Sequence, residues 1–282
     1  MNRRPAPAPG GRRVDLHTHT IFSDGLLTPE DLVDRAVHRQ LAAIAVTDHD
    51  SVDGMERAQA AAHGRIEVVP GVEISSALDG HDLHILGYYI DPEHAPLLDR
   101  LARFQDERRE RARRIVERLT EVGVRLDMEE VMSAAGPGVV GRPHVAAVMV
   151  RAGVVGGMDE AFRRYLGIHG SAFVPRPSFR PQEAIALIHG ANGLSVLAHP
   201  GANLAEAVVE RLAAAGLRGI EVWHPHHSAA TTRRYRALAE RLSLLESGGS
   251  DFHGHPQGSD LGDVRVPYSA LLRLKQSAGV AG

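Results

Sequence analysis

Short apolar runs alternate with longer amphipathic stretches along most of this chain. Residues 14–16, 43–46, 66–69, 83–89, 194–198 and 219–222 are brief and rich in aliphatic side chains, the length and content of buried strands. Between them the spacing becomes helical. Thr28-Pro29-Glu30 reads as a helix start, with Thr28 as cap, Pro29 at the first helical position and acids in the first turn. That helix is expected to run to about residue 40, with others over about 52–62, 181–191, 204–215 and 229–242. Such β–α alternation predicts a largely parallel sheet covered by helices.

From residue 91 to 177 the alternation stops. Residues 97–122 form one long helical stretch rich in Arg and Glu (FQDERRERARRIVERL), followed by shorter helical pieces with Gly and Pro breaks. We therefore expect a helical insertion or cap over 91–177. The barrel-forming core would be discontinuous, 13–90 and 178–275, after a flexible Pro/Ala/Gly-rich tail at 1–12. Glu107, Glu110 and Glu117 interleave the arginines, as in a solvated helix laced with i,i+4 pairs.

Polar clusters at His17, Asp48, Glu73, His199 and Asp251 each follow an apolar β-like run. In parallel barrels and doubly wound sheets, sites assemble at the carboxyl ends of strands. No Gly-rich dinucleotide loop follows the first strand, which favours a barrel over a Rossmann sheet.

Composition then excludes whole chemistries. Cysteine is absent, removing disulfides, thiolate nucleophiles and Cys-type zinc sites. Lys275 is the only lysine, which excludes a P-loop or Schiff-base lysine earlier in the chain. The 17 histidines are unevenly clustered, so a bound metal would have His, Asp and Glu ligands, suiting Mn, Fe, Zn or Mg. The formal charge of -3 gives no overall footprint for coating nucleic acid or membrane, and aromatics at 4% offer few base-stacking platforms. No apolar run reaches membrane-span length, and MNRRPAPAPGGRR lacks a signal peptide's apolar stretch. A cytoplasmic protein is expected, with no membrane association and no obligate protein partner evident.

In His17-Thr18-His19, extended backbone points both imidazoles the same way. Asp24, in Ser23-Asp24-Gly25, reads alone as a turn residue. Asp48 and His49 supply two ligands, or one ligand and its supporting carboxylate. Glu73 is a charge inside an apolar β-like run; facing inward it needs a partner or an ion, and facing outward it needs neither. His84 and His199 stand at the edges of apolar segments, the usual place of a structural histidine. Asp251-X-His253 repeats the same-face spacing.

Taken in order, DLHTHTIFSDG, AVTDHDSVDG, VPGVEIS, LHILGY, LAHPG and GGSDFHG resemble the motifs of the polymerase and histidinol phosphatase (PHP) superfamily, from Val14 to about Val266. The resemblance implies an α/β fold, a distorted (β/α)7 barrel holding two or three divalent ions, manganese before Fe, Zn or Mg. By it His17 and His19 would bind the first ion with Asp251, and Glu73 would bridge to a second ion completed by His84 and His199. Asp24, His49 and His253 would hold a third; some members carry a histidine where this chain has Asp24. Asp48 would support a ligand rather than be one. The nucleophile implied is a metal-activated water, which suits a chain with no Gly-X-Ser-X-Gly elbow.

Within the superfamily the chain most resembles bacterial nucleotide phosphoesterases related to the RNA-maturing 5′→3′ exoribonuclease, which also act on 3′,5′-bisphosphonucleosides. Gly141-Arg142-Pro143-His144, Phe173-Val174-Pro175 and the run from Glu221 to Ser228 carry this likeness. It implies that Arg142 clamps a substrate phosphate, with His144, His224 and His227 as phosphate contacts. His224 and His227 are also candidate proton donors. The expected substrate is a phosphorylated small molecule, a nucleotide or the 5′ end of a short oligonucleotide. Alternatives are a histidinol-phosphate or other small-molecule phosphatase, a non-catalytic metal-binding accessory domain, and a scaffold with incidental histidines.

Overall fold

A computed structural model of the protein describes residues 12–78, 81–256 and 258–280. Apart from Arg12, the expected tail lies outside the described residues. The apolar runs become strands because they are buried along their whole length, as in Ala43–Val46 and Leu194–Leu197. The strands are β1 (Arg13–Thr18), β2 (Ala43–Val46), β3 (Glu67–Leu78), β4 (His81–Tyr88), β5 (Leu194–Leu197), β6 (Gly219–Trp223), β7 (Leu245–Gly248) and β8 (Val266–Pro267). They form one sheet in the order β7-β6-β5-β4-β3-β2-β1-β8.

The sheet is largely parallel, as expected, with β4 and β8 reversed. β1, β2 and β3 run parallel, as do β5, β6 and β7. β4 is antiparallel to both β3 and β5, and β8 to β1. The reason is that β3 does not stop near residue 69 but continues to Leu78, and the chain returns directly as β4. A reversal without a crossover helix can only pair antiparallel.

The curled sheet is nearly closed by contacts between β1 and the segment after β7. The His19 N–H donates to the Phe252 carbonyl at 2.8 Å. Inside, Tyr88 reaches from β4 across the seam, donating to the Leu16 carbonyl at 2.7 Å with Ser247 Oγ at 2.9 Å. Gly249 permits the close approach, since a Cβ there would stand 2.4 Å from the His17 nitrogen.

Helices α1 (Pro29–His38) and α2 (Met55–Ala62) follow β1 and β2. Thr28 caps α1, accepting from Asp31 N–H at 3.2 Å. Next come α3 (Ala95–Glu121), α4 (Met128–Ala135), α5 (Arg142–Arg151) and α6 (Met158–Ala161), the last continued by a π-type turn over Phe162–Leu166. α7 (Pro181–Gly190), α8 (Glu206–Ala214), α9 (Ala229–Leu242) and α10 (Tyr268–Ala278) complete the set. Leu97, Leu101 and Phe104 of α3 pack with strand residues such as Ile74 and Ile85. Further along the same helix, Ile115 and Leu119 pack instead with Val131, Val145 and Leu166. Each such buried aliphatic side chain contributes about 1.5–3 kcal/mol.

The solvated reading of α3 holds for Arg109, paired with Asp106 at 3.0 Å, and for Arg113, paired with Glu110. It fails for two neighbours. Arg111 is buried, and Arg108 reaches Asp50 Oδ2 and Ser75 Oγ, both at 2.8 Å. Helical spacing alone does not say which charged stripe meets the sheet.

Candidate metal centre

Glu73, in the middle of β3, is fully buried. Its carboxylate is surrounded by imidazoles on both oxygens. Oε2 lies 3.2 Å from His17 Nε2, 3.3 Å from His19 Nε2 and 3.0 Å from His49 Nδ1. Oε1 lies 2.9 Å from His84 Nδ1 and 3.0 Å from His199 Nε2. β1, β2, β4 and β5 deliver those histidines. The reversal of β4 matters here, because His84 pairs with Ser75 and so faces the same side as Glu73.

Asp251, after β7, brings Oδ1 to 3.4 Å from His17 Nε2 and 3.2 Å from His19 Nε2. Asp24 Oδ1 stands 3.2 Å from His253 Nε2 and 3.9 Å from His49 Nε2. Three sets of donor atoms each fall within 4.8 Å of one another: His17, His19 and Glu73; His49, Glu73 and His84; and His19, Asp24, His49 and His253. All nine expected ligands thus lie in one cluster, and His49 sits between two of the sets. His199, Asp50 and Asp251 have positive φ angles of 25°, 51° and 52°, backbone strain of the kind that concentrates at functional sites.

The cluster fits divalent cations. His19 Nε2, Asp24 Oδ1, His49 Nδ1 and His84 Nε2 are buried without a hydrogen-bond partner, which is expensive if nothing else satisfies them. Protons do not fill that role for every ring. Burial, followed by the charge of His253, pushes His19 down to about 3, and burial pushes His84 down to about 4. Both are neutral at neutral pH, the form that ligates metal. Burial opposes ionisation of Glu73 and Asp251, but the surrounding imidazoles hold both well below the usual carboxylate range. Burial likewise opposes charge on His253, yet Asp24 raises it to about 10. A thiolate-free set of His, Asp and Glu suits Mn, Fe, Zn or Mg.

The chain matches the PHP domain model over residues 15–129. It is 37% identical over 252 residues to a 3′,5′-nucleoside bisphosphate phosphatase of Chromobacterium violaceum, covering 87% of this chain and 88% of that one. This chain belongs to the PHP family. It is also 37% identical over 247 residues to the 5′-3′ exoribonuclease Rnm of Escherichia coli, covering 85% and 84% of the two chains. A solved structure from Bifidobacterium adolescentis, named as a candidate metal-dependent phosphoesterase, superposes with a TM-score of 0.89 at 31% identity, covering 97% and 99%. The protein is a hydrolase, a metal-dependent phosphoesterase. Among the described residues, no helix is long and apolar enough to cross a membrane.

Around the PHP cluster, hydrogen bonds orient the imidazoles. His17 Nδ1 donates to Glu221 Oε2 at 3.1 Å and its Nε2 to Glu73 Oε2 at 3.2 Å. Burial opposes charge on the ring, but Glu221, Glu73 and Asp251 raise it well above the ordinary histidine value, so an ion at Nε2 would replace that proton. His19 Nδ1 meets Ser23 Oγ at 3.3 Å, and that hydroxyl donates to Asp48 Oδ1 at 2.6 Å. Asp48 thus acts on His19 through Ser23 while also accepting from Thr20 N–H at 2.7 Å. Glu221 is absent from the ligand set expected from sequence. It also accepts from the His199 N–H at 2.7 Å. Its signal, a charge inside the apolar strand GIEVW, is the one that singled out Glu73.

His224 lies inside the PHP cluster, with Nε2 3.5 Å from Asp251 Oδ2. His226 N–H donates to its Nδ1 at 3.3 Å, so the proton of the neutral ring sits on Nε2. His227 is held by backbone groups on both sides of its ring. Its Nδ1 donates to the Val222 carbonyl at 3.0 Å and its Nε2 accepts from Gly201 N–H at 3.3 Å. Both nitrogens are occupied, and the ring braces the loop that carries His199. His144 accepts from Gly141 N–H at 3.0 Å through Nδ1, which keeps its proton on Nε2. Burial keeps His144 below the ordinary histidine value.

Arg142 donates to Asp82 Oδ2 at 2.9 Å, two residues before His84. Arg176 stands 4.0 Å from the same Asp82. Burial, and then the neighbouring guanidiniums, push Arg111 down to about 9 and Arg176 to about 10. Arg111 NH2 and Arg176 Nε lack hydrogen-bond partners. Arg108, Arg111, Arg142 and Arg176 thus form a cationic cluster, in which Asp50 pairs with Arg108 and Asp82 with Arg142. Only Arg142 of the four stands out in the sequence, by its Gly-Arg-Pro-His setting.

Proposed function

We propose that this PHP phosphoesterase hydrolyses phosphate esters of nucleotides, either 3′,5′-bisphosphonucleosides or the 5′ end of short RNA. The observation that carries the reading is the cluster of Arg108, Arg111, Arg142 and Arg176 beside the histidine centre, with buried guanidinium nitrogens still lacking partners. Such a cluster suits a substrate with a second anionic group besides the ester that is cut. The names of the Chromobacterium violaceum and Escherichia coli relatives point to the same substrate class.

His17, His19, Asp251 and Glu73 would hold a first ion, Glu73, His84 and His199 a second, and Asp24, His49 and His253 a third, with manganese the preferred metal. Bound there, the ions supply Lewis-acid polarisation of the phosphoryl group and lower the pKa of water. The protein's own groups do the rest. With Nδ1 of His17 on Glu221 and Nδ1 of His19 on Ser23, each ring is turned to present Nε2 to an ion. His224 holds a proton at Nε2 beside Asp251 and can pass it to the leaving oxygen. Arg142, Arg108 and Arg176 orient the remote phosphate, and residues 91–177 act as a cap that carries all three.

The test is a turnover assay of manganese-loaded protein on a 3′,5′-bisphosphonucleoside, a short 5′-phosphorylated RNA and histidinol phosphate. Higher kcat/KM on either nucleotide substrate is expected. Preference for histidinol phosphate would overturn the reading.

A further inference from the structure

Between α9 and α10 an open groove of about 860 Å3 runs along the outside of the barrel wall. Arg233, Arg236, Arg265 and Arg273 line it against Glu240 and Glu246. Over the whole chain the balance is the reverse, 32 bases to 35 acids, so the positive lining does not follow from bulk charge. Glu246 is shared by two of the arginines, Arg236 at 3.1 Å and Arg273 at 3.0 Å. Arg233 and Arg265 are exposed.

Trp223, the only tryptophan of the chain, also lines the groove, with the Arg236 guanidinium 6.0 Å from its ring. Trp223 ends β6 and directly precedes His224 of the metal centre. Because Gly219 pairs with Leu245 and Trp223 with Gly248, the groove extends from the site end of the wall toward the opposite end. That is roughly 10 Å at about 3.3 Å per residue.

We infer that this groove docks the backbone of a single-stranded nucleic acid, outside the centre where the ester is cut. Guanidinium forks match phosphate oxygens, and an aromatic ring beside them gives a base a face to stack on. An acidic peptide would use the arginines but not the ring. The inference rests on the nucleotide reading above and extends it to the substrate body beyond the terminal nucleotide.

Trp223 emission reports the groove directly. Manganese-loaded protein is titrated with oligodeoxythymidylate of about twelve nucleotides without terminal phosphates. The titration is repeated with the doubly substituted Arg233→Glu, Arg265→Glu protein and with Arg265→Ala, each checked for an unchanged melting temperature. Saturable, salt-sensitive change in emission is expected, with Kd about tenfold weaker in the double variant. Turnover of a 3′,5′-bisphosphonucleoside should stay within about twofold, because neither arginine belongs to the metal centre. An emission unmoved by the oligonucleotide, a Kd indifferent to charge reversal, or equally tight binding of polyglutamate would each overturn the inference. If the oligonucleotide binds as expected but no nucleotide substrate is hydrolysed, the groove stands and the proposed function falls.

Discussion

Glu221 fixes the orientation of His17: the imidazole Nδ1 donates to Glu221 Oε2 at 3.1 Å, and both side chains are fully buried. The same oxygen takes the backbone N–H of His199 at 2.7 Å, so one carboxylate sets histidines from two strands. Replacing Glu221 with Gln keeps the shape and removes the charge. Metal affinity or turnover should fall about 10–100-fold, the usual effect of losing a carboxylate behind a ligand. Equilibrium dialysis against manganese would show it; unchanged affinity would mean that Glu221 is only packing.

Gly138 ties the region after α4 to the loop that carries Asp24. Val139 N–H donates to the Phe22 carbonyl at 3.1 Å, and a Cβ on residue 138 would stand 2.4 Å from the Ile21 carbonyl oxygen. Gly138→Ala should therefore push the Ile21–Ser23 backbone and displace Asp24. Bound metal should drop by the equivalent that depends on Asp24 and His253, while the remaining equivalents persist. Loss of all metal, or of none, would contradict this arrangement.

Arg142→Ala should separate substrates by their number of phosphates. A charge-assisted hydrogen bond is worth about 1.5–3 kcal/mol, so KM for a bisphosphonucleoside should rise roughly 10–100-fold. A nucleoside monophosphate with only the scissile ester should be affected much less. Equal losses on both would place Arg142 at the reacting phosphate instead.

The arginine cluster also predicts a pH dependence. Arg111, lowered to about 9, and Arg176, lowered to about 10, are charged below those values. Their attraction for an anion is complete at neutral pH and is lost as pH rises through about 9 and then about 10. KM for a bisphosphonucleoside should climb by up to tenfold per pH unit in that range. A KM flat to pH 10.5 would show that both guanidiniums stay charged through that range or take no part in binding.

Metal removal should lower thermal stability, since the buried donors of His19, Asp24, His49 and His84 then lose their partner. An ion at a hundred times its Kd contributes about 2.7 kcal/mol, or roughly 5 °C or more in Tm for a chain of this size. Melting with excess chelator and with added manganese measures the difference. Identical curves would show that the cluster binds no ion in the folded protein.

The sequence alone determined six of the eight described strands, most of the helices and the identity of the clustered side chains. These are local properties: an apolar run of four residues must be buried, and His-X-His on extended backbone presents both rings to one side. It also carried a signal for Glu221 equal to that for Glu73, a charge inside an apolar strand. Only the tertiary structure decided what depends on partners far along the chain. The turn from β3 directly into β4 reversed a strand and brought His84 to Glu73. Packing of α3 on the sheet turned Arg108 and Arg111 inward while Arg109 and Arg113 stayed in solvent, a choice helical periodicity leaves open. Backbone groups of Val222 and Gly201 engaged both nitrogens of His227, which ties the loop after β5 to the end of β6. A residue's type limits which bonds it can make, but its neighbours in space determine which ones form.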